Sequence, residues 1–153
     1  MINLTKTFKL LEIIFVAFLA SQVLLAFLFY ILLDMGIVQY DYFDFEYLPI
    51  ILLVINTMSI LSAKYLFTVR KQIEINLTLE EKFAKYRTFS LLIMGILDFT
   101  NIINLVFYLL TGSQTYLLVS ILILILFTVY RPHKTTFAEI SLTNSEKSRF
   151  LPD

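Results

Sequence analysis

Residues 90–110 read SLLIMGILDFTNIINLVFYLL. This stretch is an apolar run long enough to cross a bilayer, which takes about 20 residues in a helix. At its centre stands Asp98, followed by Thr100, Asn101 and Asn104. An acid at bilayer depth is the most expensive residue choice in the chain. On an insertion scale a central Asp costs about 2.5–3.5 kcal/mol, and each Leu, Ile, Phe or Val gains about 0.3–0.6 kcal/mol. Residues 89–110 hold 14 such apolar residues. Their gain is roughly 4–8 kcal/mol, of which Asp98 cancels about half. The segment still inserts, but its polar side belongs against other helices or water. At 100° per residue Ser90, Asn101, Asn104 and Tyr108 fall on one side, with Asp98 at its edge.

Outward from this stretch the composition agrees. Of 153 residues 59% are hydrophobic, above the 45–50% or so of soluble domains. Lys plus Arg equals Asp plus Glu at 12 each, so no net charge draws the chain to nucleic acid. There is no cysteine, which excludes disulfides and thiolate metal sites. The size suits a single domain, residues 1–153.

Toward the N-terminus, residues 10–33 form a first apolar segment, too long for a signal-peptide core. Glu12 sits one turn inside Lys9, Gln22 lies near the middle, and Ala17 with Ser21 makes a small-xxx-small pair suited to close helix approach. Residues 34–47 are an acidic, aromatic loop with Asp34, Asp41, Asp44 and Glu46. Tyr40, Tyr42, Phe43, Phe45 and Tyr47 crowd its second half, as at an interfacial belt. Residues 48–67 form the second segment. Pro49 lies in its first turn, Asn56 and Thr57 at its middle, and Asn56, Ser59 and Ala63 share a face. Residues 68–87 are a basic loop with Arg70, Lys71, Lys82, Lys85 and Arg87. Within it Thr78 and Glu81 match a capping box, so the third helix begins near Leu79.

The third segment, 88–110, ends at an uncharged Thr-Gly-Ser-Gln turn. The fourth, 115–130, is the most apolar, with Ser120 its polar residue away from the ends. Arg131-Pro132 stops it. Residues 131–153 are a polar tail, in which Thr136 with Glu139 and Thr143 with Glu146 match further capping boxes.

The expected fold is therefore all-α: a four-helix transmembrane bundle, multi-pass, with both termini cytoplasmic. Lys and Arg sit in the N-terminus, the second loop and the tail and are missing from the other two loops, which sets that orientation. Gln22, Asn56, Thr57, Asp98, Asn101 and Asn104 are the candidate residues for an ion or proton site or for helix contacts. Interhelical hydrogen bonding, docking of another membrane subunit and an ion or proton site are three readings of this one set. No catalytic residue, metal site or cofactor is assigned. His133 stands without a second ligand at metal spacing, and neither a Ser-His-Asp order nor a phosphate-binding loop occurs. The expected partners are the lipid bilayer and a membrane protein or further copies of the chain, with no nucleic acid.

Residues 95–150 carry a resemblance. Asp98, the Leu109-Leu110-Thr111-Gly112 turn, the Arg131-Pro132 exit and the Leu142–Glu146 step resemble a group of small four-helix membrane proteins of Bacteroidetes-like bacteria. The likeness spans about a third of the chain. It implies a bacterial inner membrane and no particular activity. Proteolipid rings of rotary ATPases also carry a membrane acid, but they are rich in glycine, and this chain has 3.

Overall fold

The computed structural model describes residues 4–38, 47–72 and 76–142. Among the described residues five helices follow one another: α1 (Leu4–Asp34), α2 (Leu48–Lys71), α3 (Leu79–Thr111), α4 (Gln114–Val129) and α5 (Lys134–Ser141). Among the described residues there is no strand. Asp41, Asp44, Glu46 and the four aromatic residues between Tyr40 and Phe45 lie outside them, as do Thr143 and Glu146. Three helices, α1, α2 and α3, are long and apolar enough to cross a membrane. The shorter α4 has 16 residues, about 24 Å at 1.5 Å per residue.

Local chemistry sets the helix ends. The Thr78 hydroxyl accepts from the Glu81 N–H, and the Glu81 carboxylate accepts from the Thr78 N–H and hydroxyl. This reciprocal box starts α3. The same bonds hold the Glu81 carboxyl below its ordinary pKa. At the other end Gly112 adopts φ +64° and donates to the Tyr108 carbonyl at 2.8 Å. That left-handed conformation suits glycine and lets α4 begin at Gln114. Residue 133, not Thr136, caps α5: the helix starts at Lys134, so the Thr136–Glu139 pairing lies within it and does not mark its start.

α3 is the central helix and packs against α1, α2 and α4, while α1 also meets α4. Its buried residues Ser90, Ile93, Met94, Leu97, Asn101, Asn104, Leu105 and Tyr108 recur at the helical period and form one face. The apolar core lies toward the end of the molecule that carries the α2–α3 connection and α5. There Phe8 of α1, Phe83 and Tyr86 of α3 and Phe137 of α5 pack ring on ring, at centroid distances of 5.0–6.3 Å. Such contacts contribute about 0.5–1.5 kcal/mol each beyond burial, and they bind α5 to α1 and α3.

Arg70 departs from the sequence reading. It belongs to the last turn of α2 rather than to an open basic loop, and it is 1% exposed. Its guanidinium lies 4.7 Å from the Phe67 ring centroid and 4.9 Å from that of Tyr86. It donates to the Ser90 hydroxyl at 3.0 Å and to the Tyr130 carbonyl at 3.4 Å. Among the described residues its partners are ring faces and neutral oxygens, and cation–π attraction strengthens as the cation is desolvated. One side chain ties the ends of α2 and α4 to α3. Tyr86 extends the tie: its hydroxyl donates to the His133 carbonyl and accepts from the His133 N–H.

Tyr86→Phe keeps the ring over Arg70 and frees residue 133. It is expected to speed tryptic cleavage at Lys134, by about fivefold if roughly 1 kcal/mol is lost in all with the two long hydrogen bonds, 3.4 and 3.2 Å. Thr78→Ala is expected to speed amide exchange at residues 79–82, for a capping loss of about 1 kcal/mol. Because the Glu81 carboxyl is lowered in the folded chain, its contribution is present above the ordinary carboxylate range. It is lost as pH falls through the lowered value. Exchange at residues 79–82, corrected for its intrinsic pH dependence, should therefore accelerate in acid.

Candidate functional site

Five of the six candidate residues meet along α3, and they divide into two clusters. On the α2 side, Asn56 and Asn104 face each other. Asn104 Nδ2 donates to Asn56 Oδ1 at 2.7 Å, and Asn56 Nδ2 donates to Asn104 Oδ1 at 3.2 Å. Each amide gives its other hydrogen to a backbone carbonyl one turn back, Leu52 for Asn56 and Thr100 for Asn104, both at 2.8 Å. An amide has two donor hydrogens, so all four are used. The pair is buried and self-contained. It locks α2 to α3 and has no donor left for a ligand.

On the α1 side the arrangement is open. Asn101 Nδ2 donates to Gln22 Oε1 at 3.0 Å, and Gln22 Nε2 donates to Asp98 Oδ1 at 2.7 Å. The bonds run in one direction, from Asn101 through Gln22 to the carboxyl. Gln22 and Asn101 are buried, whereas Asp98 is half-buried at the edge of the α3 face. No described residue donates to its second oxygen. Asp98 lines a cleft of about 440 Å³ between α1 and α3, together with Ala17, Phe18, Ser21, Gln22 and Ile102. The walls are otherwise apolar or small. The Ala17–Ser21 pair therefore borders this cleft rather than sitting under a helix of the same chain, and both residues are exposed.

Thr57 joins neither cluster. It lies on the exposed side of α2 and lines a separate crevice between α2 and α4, about 410 Å³, with Asn56, Asn104, Thr115 and Tyr116. Two buried polar atoms have no partner among the described residues, Asn101 Oδ1 and Ser120 Oγ. Such an atom, left without any partner, costs about 1–3 kcal/mol. Ser120 belongs to the buried stripe of α4 with Ile123 and Phe127, at spacings of three and seven.

The polar clusters sit between apolar layers. Toward α5 lies the main core, and toward the α3–α4 turn lie the buried Leu52, Leu105 and Tyr108. Among the described residues, no group of three or more His, Cys, Asp or Glu could hold a metal ion. Chemically the site offers one carboxyl oxygen as an acceptor at a lateral cleft, backed by a short amide chain. No family model, curated protein or solved structure matches the chain.

The reciprocal amide pair gives a coupled signature. Asn56→Ala or Asn104→Ala alone strands the opposite amide and is expected to cost about 1–3 kcal/mol. Asn56→Ala with Asn104→Ala should cost clearly less than the sum, because no stranded amide is left. Denaturant titration in detergent micelles measures all three. Additive losses would mean that the two side chains are not paired.

Proposed function

We propose that the chain is a four-helix integral membrane protein of the bacterial inner membrane. In this reading α1 to α4 each span the bilayer and both termini are cytoplasmic. It acts without catalysis, as an accessory or interaction subunit, and engages another membrane helix through the cleft between α1 and α3. That helix belongs to a partner protein or to a second copy.

The observation that carries this reading is the Asp98 carboxyl. One of its oxygens is held by Gln22, the other has no donor among the described residues, and the residue lines a lateral cleft. In hydrocarbon no water satisfies such a group, so a donor from a neighbouring helix is its natural complement. Ala17 and Ser21 at the same cleft allow a close approach. Beside it α3 leaves Leu92, Phe99 and Ile102 exposed, an apolar surface that a helix or lipid covers. The charge pattern supports the orientation. Arg70, Lys71, Lys82, Lys85, Arg87, Arg131 and Lys134 gather at the end where the α2–α3 connection and α5 lie, which the positive-inside rule assigns to the cytoplasm.

A second reading is an oligomeric ion or proton conductor built on Asp98. It is favoured by the unbroken chain from Asn101 through Gln22 to the carboxyl. Within one chain this relay is short and bounded by apolar layers, so conduction needs several copies around Asp98.

Gentle extraction at native expression, followed by the mass of the complex, separates the readings. Docking predicts a companion chain or a homo-oligomer that survives Asp98→Asn, which retains a hydrogen-bonding group, and dissociates with Asp98→Leu. Conduction predicts that Asp98→Asn abolishes flux in vesicles while the complex stays intact. A monomer with no companion, unchanged by Asp98→Leu, would overturn the docking reading.

A further inference from the structure

We propose that the inner end of α1 and the exit of α4 form a site for an anionic phospholipid of the cytoplasmic leaflet, with its phosphate between Lys9 and Arg131 and an acyl chain along Ile13, Val16 and Ala20. The proposal rests on the membrane-spanning reading given above. A shallow cleft of about 430 Å³ brings Lys9, Glu12, Ile13, Val16, Ala20 and Arg131 together. Both cations are exposed, and among the described residues neither has a carboxylate within ion-pair distance. Glu12 shares the cleft yet bonds to neither, so the rim carries a net positive charge.

The geometry fits a lipid better than a free anion. Lys9, Ile13, Val16 and Ala20 lie on one face of α1, at spacings of four, seven and eleven. The face runs about 16 Å from Lys9 to Ala20, close to the ~15 Å depth of one leaflet. Ala20 leaves the floor low where a larger residue would raise it, and the floor offers nothing polar that a free phosphate needs. Arg131 is fixed in place by its neighbours. The Tyr130 carbonyl before it is held by Arg70, and Pro132 after it is buried. Its guanidinium then lies 5.7 Å from the Phe15 ring centroid on α1. A cation supplied by one helix thus stands over the apolar face of another, with its fixed charge at headgroup level.

The test is native mass spectrometry of the full chain in detergent, titrated with phosphatidylglycerol, phosphatidylcholine or inorganic phosphate. Phosphatidylglycerol is expected to be retained over phosphatidylcholine. Lys9→Gln and Arg131→Gln should each weaken that preference about fivefold, the usual weight of one basic residue at an anionic surface. Glu12→Gln should strengthen it by a similar factor, a gain that misfolding cannot produce, and Lys85→Gln should leave it unchanged. Equal retention of the two lipids, variants without effect, full competition by inorganic phosphate, or a bound protein in place of lipid would each overturn the proposal. Failure of the membrane reading itself looks different: alkaline carbonate would then strip the chain from native membranes without detergent.

Discussion

Polar side chains buried among apolar helices must find their partners inside the protein, and α3 is where this requirement is concentrated. It carries Asp98, Asn101 and Asn104 within two turns. Each neighbour answers a different part of the demand: α2 with Asn56, α1 with Gln22. A donor lost here is not replaced by water, so the rotation of α1 and α2 about their axes is set by these contacts. Apolar packing alone tolerates many rotations, because Leu, Ile, Val and Phe on different faces are close to interchangeable.

The same demand explains the difference between the two clusters. Two asparagines can saturate each other, and Asn56 with Asn104 do so, with the remaining hydrogens on backbone carbonyls one turn back. Asp98 and Gln22 do not. Gln22 gives one amide hydrogen to one Asp98 oxygen, and no described residue donates to the other, which leaves an acceptor beside the cleft. A structural adhesive would be closed like the asparagine pair. The open carboxyl therefore separates the α1–α3 side from the α2–α3 side, and it is the feature on which the proposed docking rests. At the far end Arg70 shows a third solution, a cation satisfied by two rings, a hydroxyl and a carbonyl.

Much of this was legible in the sequence. The 100° periodicity of residues 90–110 placed Ser90, Asn101, Asn104 and Tyr108 on one face with Asp98 at its edge, and those four side chains are buried. The Thr78–Glu81 box located the start of α3. The pairing of the candidates was not legible, because depth along a helix is read from position while facing depends on how neighbours rotate. Thr57 has the right depth and the wrong face. Arg70 was hidden by composition: beside Lys71 it looks like a solvated charge. Yet it continues the seven-residue spacing of Asn56 and Ala63, both buried, and that spacing was the available signal. The ring cluster of Phe8, Phe83, Tyr86 and Phe137 joins three distant parts of the chain, and no local pattern announces such a contact. Thr136 misled because a capping-box pattern is short enough to occur inside a helix.

Docking as proposed above places another membrane helix over the α1–α3 cleft. A photo-cross-linking residue at Ile102, which lines the cleft beside Asp98, tests it most directly in intact native membranes. A docked helix gives a discrete protein adduct from Ile102, absent when the probe stands at the exposed Leu118 of α4 and abolished by Asp98→Leu. Adducts with lipid alone at Ile102, unchanged by Asp98→Leu, would contradict it.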